Sequence, residues 1–206
     1  MTSKEVIITD DYIDKCPTQV IVMDTPLNVV WEALAWKGTE SSAIRYEDGH
    51  YIVNSKIEGS LMERSFLIEY KLDVDPRWRI ISVEVKWLMV AKKSLYLHVK
   101  GKDNWVDSKS MVLKKFSGCT DVDISLSAFT NTLPIRRLDF KDGSRQAIKV
   151  VYIDLPSGRL KPMRQWYTKL KNSSYRYEDE NGYTNVISVD KNGLVVDYPG
   201  LFSRKL

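Results

Sequence analysis

The sequence predicts a mostly β protein: an antiparallel sheet of many short strands with one main helix. Three observations predict it. Apolar residues recur with period two in several segments. Turn signals separate those segments, among them Glu47-Asp-Gly49, Asp75-Pro76, Gly101-Lys-Asp103, Asp142-Gly143, Pro156-Ser-Gly158, Asn181-Gly182 and Lys191-Asn-Gly193. And the strongest helix signature in the chain is a single short one.

Taken in order, residues 26–35 admit both a helix and a strand. Thr25-Pro26 can open a helix, and Leu27, Val30, Trp31 and Leu34 fall at helical spacing, yet Trp31 also suits a strand. In Phe66–Val74, Ile68, Tyr70, Leu72 and Val74 alternate with Glu69, Lys71 and Asp73. In Trp78–Met89, Ile81, Val83, Val85, Trp87 and Met89 alternate with Ser82, Glu84, Lys86 and Leu88; Leu95, Leu97 and Val99 follow the same rule. Such alternation describes strands with one face buried. The stretch Ala147–Leu155 is more continuously apolar and predicts a strand covered on both faces. The helix belongs at residues 130–138, in Thr130-Asn-Thr-Leu-Pro-Ile-Arg-Arg-Leu138. There Asn131 is the expected cap, Pro134 stands in the first turn, where its missing N–H costs nothing, and Ile135 and Leu138 share the core face. A strand is expected to start near Phe140. One echo stands out: Ser41-Ser-Ala-Ile-Arg-Tyr-Glu-Asp48 resembles Ser173-Ser-Tyr-Arg-Tyr-Glu-Asp179, and leaves open a duplicated β-unit.

A length of 206 residues admits one domain or two small ones, and a single domain over 1–206 is expected. Lys plus Arg number 31 and Asp plus Glu 27, and the charges are interspersed, unlike the lopsided distribution of a nucleic-acid binder. Basic residues do interleave with aromatics at Arg159, Lys161, Arg164, Lys169 and Lys171, but Glu178-Asp-Glu180 lies in the same region. No apolar run approaches the ~20 residues of a membrane-spanning helix. With no apolar h-region at the N-terminus, and Cys16 and Cys119 read as free thiols, the expected compartment is the cytoplasm.

Catalytic and metal signatures are missing. His50 sits in a turn and His98 on the polar face of a strand, with no nucleophile arranged beside them in sequence. There is no HExxH, CxxC, GxGxxG or GxxxxGK[ST], so neither a metal nor another cofactor is expected. Asp121-Val-Asp123 puts two carboxylates on one side of a strand. They can serve as acid and base, or pair with the nearby Arg136 and Arg137; the pairing is the simpler account. Tyr167, Tyr175 and Tyr177 stand in an aromatic-rich second half. They suit either the core or the wall of a groove for an amphipathic ligand.

The string Gly118-Cys-Thr-Asp-Val-Asp-Ile124 followed by Thr130-Asn-Thr-Leu-Pro-Ile-Arg-Arg-Leu138 resembles the bacterial putative glycolipid-binding family. The resemblance runs through Trp31–Glu40, Tyr70–Trp78, Gln165–Leu170, Tyr175–Glu178, Val189–Val195 and Tyr198–Leu201, and does not cover residues 1 to about 28. One departure is Ser127-Ala128, where the family usually shows Thr-Pro. The resemblance implies a spiral β-roll, a long curled antiparallel sheet wrapped around a single helix, and a homodimer. It implies no catalytic residue, and its functional content is fold-level analogy to lipid carriers. Three functions compete. The first is a binding protein holding a glycolipid or other amphipathic molecule in the concave face of the roll. Its ligand would meet Asp121, Asp123, Asn131, Arg136, Arg137, Tyr167, Tyr175 and Tyr177. The second is an enzyme using Asp121, Asp123, Arg136 and Arg137 around a polar cleft. The third is a dimeric scaffold with no small ligand.

Overall fold

The structure is a computed structural model that describes residues 23–89, 92–101 and 104–205. Cys16, Val90, Ala91 and the Lys102-Asp103 part of the 101–103 turn signal lie outside the described residues. The first half of the chain forms β1 (Leu27–Ala33), β2 (Lys37–Glu47), β3 (His50–Leu61), β4 (Arg64–Val74), β5 (Ile80–Trp87), β6 (Lys93–Lys100) and β7 (Asn104–Asp107). The second half contributes β8 (Asp121–Ile124), β9 (Arg145–Asp154), β10 (Arg159–Lys169), β11 (Ser174–Asp179), β12 (Thr184–Val189), β13 (Val195–Tyr198) and β14 (Phe202–Arg204). Between β8 and β9 lies the helix α1 (Thr132–Arg137), entered through a 3-10 turn at Phe129–Asn131.

All fourteen strands belong to one sheet. Its order is β7-β6-β5-β4-β3-β2-β1-β14-β13-β12-β11-β10-β9-β8. Each half is thus a meander, and the halves meet where β1 pairs β14 through Trp31 with Arg204, Glu32 with Ser203 and Ala33 with Phe202. The β8–β9 pair is parallel and the other neighbours are antiparallel. Short hairpins explain why antiparallel pairing dominates, because only a long connection can bring a strand back parallel. The connection containing α1 is that long connection.

The sheet curls until its ends overlap. Trp87 Nε1 donates to the Pro156 carbonyl in the β9–β10 turn at 2.8 Å, and Trp105 Nε1 donates to the Cys119 carbonyl at 2.8 Å. These contacts bring β5 and β7, near one end, to the chain around β8 and β9 at the other. They also account for the apolar run of β9. Val150 and Val151 point to opposite faces, and both are buried. Inside the roll sit α1 and the turn before it, with Phe129, Leu133 and Ile135 buried among the inward residues of both halves. The fold is therefore the mostly β roll around one short helix that the alternation and the resemblance predicted. No helix among the described residues is long and apolar enough to cross a membrane.

Four local expectations need correction or sharpening. Residues 27–33 are a strand: Val29, Trp31 and Ala33 point inward with period two, and the helical spacing of Leu27, Val30, Trp31 and Leu34 is incidental. In β5 the alternation changes phase. Asp73 pairs Ser82 while Val74 pairs Ile80, so Ile81 is an extra residue, a bulge that leaves it exposed while Ile80 and Ser82 are buried. No strand starts at Phe140; the ring packs on Tyr175 at 5.2 Å and holds a loop, and β9 begins at Arg145. The two Arg-Tyr-Glu-Asp segments end β2 and β11, each at a hairpin. β2 stands second from the central joint and β11 fourth on the other side, so no two-fold within the sheet exchanges them.

Candidate functional site

The helix is fixed from both halves of the sheet. Its N-terminal turn would leave backbone N–H groups without partners inside an apolar roll. The carboxylate of Glu40, wholly buried on the inward face of β2, supplies the acceptor. Its Oε2 accepts from the Ala128 N–H at 2.6 Å and the Phe129 N–H at 3.3 Å, and its Oε1 accepts from Tyr70 Oη at 2.5 Å and Ser127 Oγ at 2.7 Å. Burial pushes the Glu40 pKa up, and these four donors oppose the shift. Asn131 is therefore not the cap expected. Its own backbone is already helical, its Nδ2 donates to the Ala128 carbonyl, and its Oδ1 accepts from Tyr167 Oη at 2.9 Å. Pro134 stands in the first turn of α1 as predicted, and Ile135 is buried.

Asp121 and Asp123 face the same way from β8 but meet different partners. Asp121, wholly buried, receives the fork of Arg137: Nε to Oδ1 at 3.1 Å and Nη2 to Oδ2 at 2.6 Å. This is the pairing expected of the helix arginines. Asp123 receives Gln165 Nε2 at 2.5 Å and, at 3.4 Å, the Thr130 hydroxyl. Burial pushes its carboxyl up to about 6, against the pull of those donors. Arg136 turns the other way, onto the Trp78 ring at 5.2 Å, and packs beside Gly193. The two arginines thus diverge, as helix neighbours must, and do not share one cleft with both aspartates.

Tyr167, Tyr175 and Tyr177 stand in the packed interior. Tyr167 stacks edge-on against Tyr177 at 5.4 Å, and Tyr177 in turn meets Tyr198 at 6.3 Å. Burial, followed by the nearby Asp123 charge, holds the phenols of Tyr167 and Tyr177 far above their usual range. Tyr175 carries Lys169 Nζ at 4.2 Å over its ring.

Two grooves open on the surface of the roll, and of the eight residues singled out above only Arg137 lines either. The larger, about 450 Å³, crosses β1 to β5 on the outward face. Pairing places its side chains in two rows. One runs Asn28, Ala43, Asn54, Lys71, Glu84, and the other Val30, Ser41, Lys56, Glu69, Lys86. Small residues on β1 and β2 and Asn54 on β3 make the floor, and the longer charged residues lie beside it, Lys56 on β3 with Lys71, Glu69, Glu84 and Lys86 on β4 and β5. Cations and acids alternate along both rows, so the charges compensate across strands. The second groove, about 410 Å³, lies where β9 runs on past the end of β8 and is lined by Thr120, Arg137, Lys149, Arg164 and Trp166 among others.

Sequence reasoning missed Glu40, Tyr70 and both outward rows. A signal existed for Glu40: it holds the inward parity of Ser42 and Ile44, so an acid was pointing at the core. For the second groove, the Pro156-Ser-Gly158 turn implies a hairpin that sets Arg164 opposite Lys149.

A mostly β roll with a helix buried inside it, and two ligand-sized grooves on its outside face, defines a class of single-sheet β-roll proteins. The chain belongs to the family described as putative glycolipid-binding, whose model matches residues 28–204. A crystal structure of a DUF1089 family protein from Pseudomonas aeruginosa is similar to it, with 36% identity, 81% of this chain and 92% of that chain covered, and a TM-score of 0.72. No match is found among curated proteins.

Proposed function

We propose that the protein binds an amphipathic molecule with a neutral, sugar-like headgroup, and that it acts by binding and not by catalysis. The observation that carries this is the β1–β5 groove. A floor that includes Val30 and Ala43 offers apolar contact to a sugar ring face. Asn28, Ser41 and Asn54 beside it offer amides and a hydroxyl, and the paired Lys and Glu rows offer both donors and acceptors to ring hydroxyls. Compensated charge suits a neutral polyol better than an ion. The family description supports the same class of ligand. The two carboxylates of the enzyme reading are engaged with structural partners: Asp121 holds Arg137, and Asp123 accepts from Gln165 and Thr130. The homodimer implied by the family resemblance, and a cytoplasmic setting suited to the free Cys119 thiol, belong to the same proposal.

The test is fluorescence titration of the full chain with an alkyl glucoside below its micelle concentration, together with native mass spectrometry of freshly purified protein. Saturable binding is expected, and Ala43→Trp, which fills the floor from the outward face, should abolish it while the melting temperature holds. No saturable binding by the wild type, or equal binding by Ala43→Trp, overturns the reading.

A further inference from the structure

We infer that the groove beside the end of β8 is an anion site that takes a phosphate group, free or carried on a headgroup, on Arg137, Lys149 and Arg164. The inference stands apart from the sugar-like ligand of the β1–β5 groove and uses different residues.

Three cations line this groove and no carboxylate does. Lys149 and Arg164 are direct partners across β9 and β10, and like charges so placed oppose the pairing. The same sheet solves that problem elsewhere by alternation, setting Lys56 and Lys86 on either side of Glu69 and Lys71 against Glu84. Among the described residues no acid pairs with Arg164. The repulsion is therefore a local feature of this groove, and a bound anion would relieve it.

The cations are also held in place. Lys149 Nζ donates to the Ser117 carbonyl at 2.8 Å. Arg137 is fixed by Asp121 through Nε and Nη2, and Nη2 also reaches Thr120 Oγ1 at 3.3 Å. Among the described residues nothing takes Arg137 Nη1, which is left for a ligand. With Asp121 behind Arg137, the three cations leave a net charge of two. That matches a phosphate monoester, which carries about −1.5 to −2 at neutral pH, better than it matches a carboxylate. Arginine forks suit phosphate geometry and lysine adds a point charge. Trp166 closes one side with its indole, which Arg145 covers at 4.8 Å while itself paired with Glu178. At about 410 Å³ the groove has room for a phosphorylated headgroup.

The experiment uses the full chain at constant ionic strength, with two probes. Inorganic phosphate at low millimolar concentration is followed by thermal shift and tryptophan fluorescence. Phosphatidylcholine vesicles, with and without phosphatidic acid, are followed by flotation. The wild type should show a saturable rise in melting temperature with phosphate. Lys149→Ala and Arg164→Ala should each weaken that response at least about tenfold, one lost charge-assisted contact. Both sit on an outward face, and removing either relieves the like-charge pair, so their phosphate-free melting temperature should hold or rise. Binding to phosphatidic-acid vesicles in addition assigns the phosphate to a lipid headgroup; a phosphate response alone assigns it to a soluble phosphorylated compound. No saturable response to either probe overturns the site. So does an equal response in wild type and both variants, or a drop in the phosphate-free melting temperature of both variants.

Discussion

Three carboxylates surround one short helix, Glu40 and Asp121 wholly buried and Asp123 mostly so, and each is satisfied by a different device. Asp121 has an arginine fork, Glu40 has four neutral donors, and Asp123 has an amide and a distant hydroxyl. Among the described residues no cation pairs with Asp123, and its carboxyl sits at about 6 instead of 3.8 because burial dominates. The sign follows from proton binding. Between those two values the folded chain keeps a proton that the unfolded chain has released. Stability therefore falls as pH rises through that window, and above about 6 the charged form is carried at full cost. A shift of about two units corresponds to about 3 kcal/mol. Asp123→Asn retains an oxygen to accept from Gln165 and removes the titration. It should be more stable than wild type at pH 7.5 by about 1–3 kcal/mol and lose most of that advantage at pH 4.5. Urea denaturation at both pH values decides it: the same difference at both places the penalty elsewhere. The Asp121–Arg137 pair was legible in sequence because both residues lie in short, well-signalled elements sixteen positions apart. Glu40 was not, since the helix-entry groups it accepts from lie almost ninety positions away and only the closed roll brings them together.

At the scale of elements, period two was readable wherever the strand ran without interruption, as in β4 with its inward Phe66, Ile68, Tyr70, Leu72 and Val74. In β5 it failed at Ile81 alone, where one inserted residue shifts the phase: Ile80 before it is buried, and Val83, Val85 and Trp87 after it are buried as expected. Ile81 carries that insertion, and nothing in its own chemistry marks it. A different constraint governs the β2–β3 pair. Gly38 and Gly59 face each other across the strands, and the Trp36 ring lies over both. A Cβ on Gly59 would stand 2.2 Å from the Lys37 carbonyl oxygen and 2.8 Å from the Trp36 ring. Backbone cannot yield as a flexible side chain can, so the strands would have to separate there. Trp36 also meets Phe66 at 5.3 Å and Phe202 at 6.5 Å, which ties this spot to the packing of β4 and β14. Gly59→Ala should cost about 1–3 kcal/mol or more, the range of an overpacked core, despite the usual gain from replacing a strand glycine. Thermal denaturation of that one variant checks it, and a stability equal to wild type would mean that the strands part at no cost.

The whole molecule is one sheet whose two meanders pair through a short joint of three register pairs between β1 and β14 and touch again where Trp87 and Trp105 of the first half reach Pro156 and Cys119 of the second. The interior helix is bonded to both halves as well. Glu40 of the first half caps its entry, while Tyr167 of the second half donates to Asn131 and the Gly193 carbonyl accepts from Thr132 Oγ1 at 3.1 Å. If the helix is the common support, damage on one side must be felt on both. Glu40→Gln is the sharpest probe of this. Gln can keep one acceptor for Tyr70 and Ser127, but its amide nitrogen then faces the Ala128 and Phe129 N–H groups, donor against donor. Losing those acceptors in a dry interior should cost about 2–4 kcal/mol. Hydrogen exchange then reads where the cost appears. Amides of β3 and β4 and amides of β10 and β11 should lose protection by equal amounts, because a single cooperative unit opens as one. Loss confined to β3 and β4 would show two meanders that merely share an edge, with the helix belonging to the second alone.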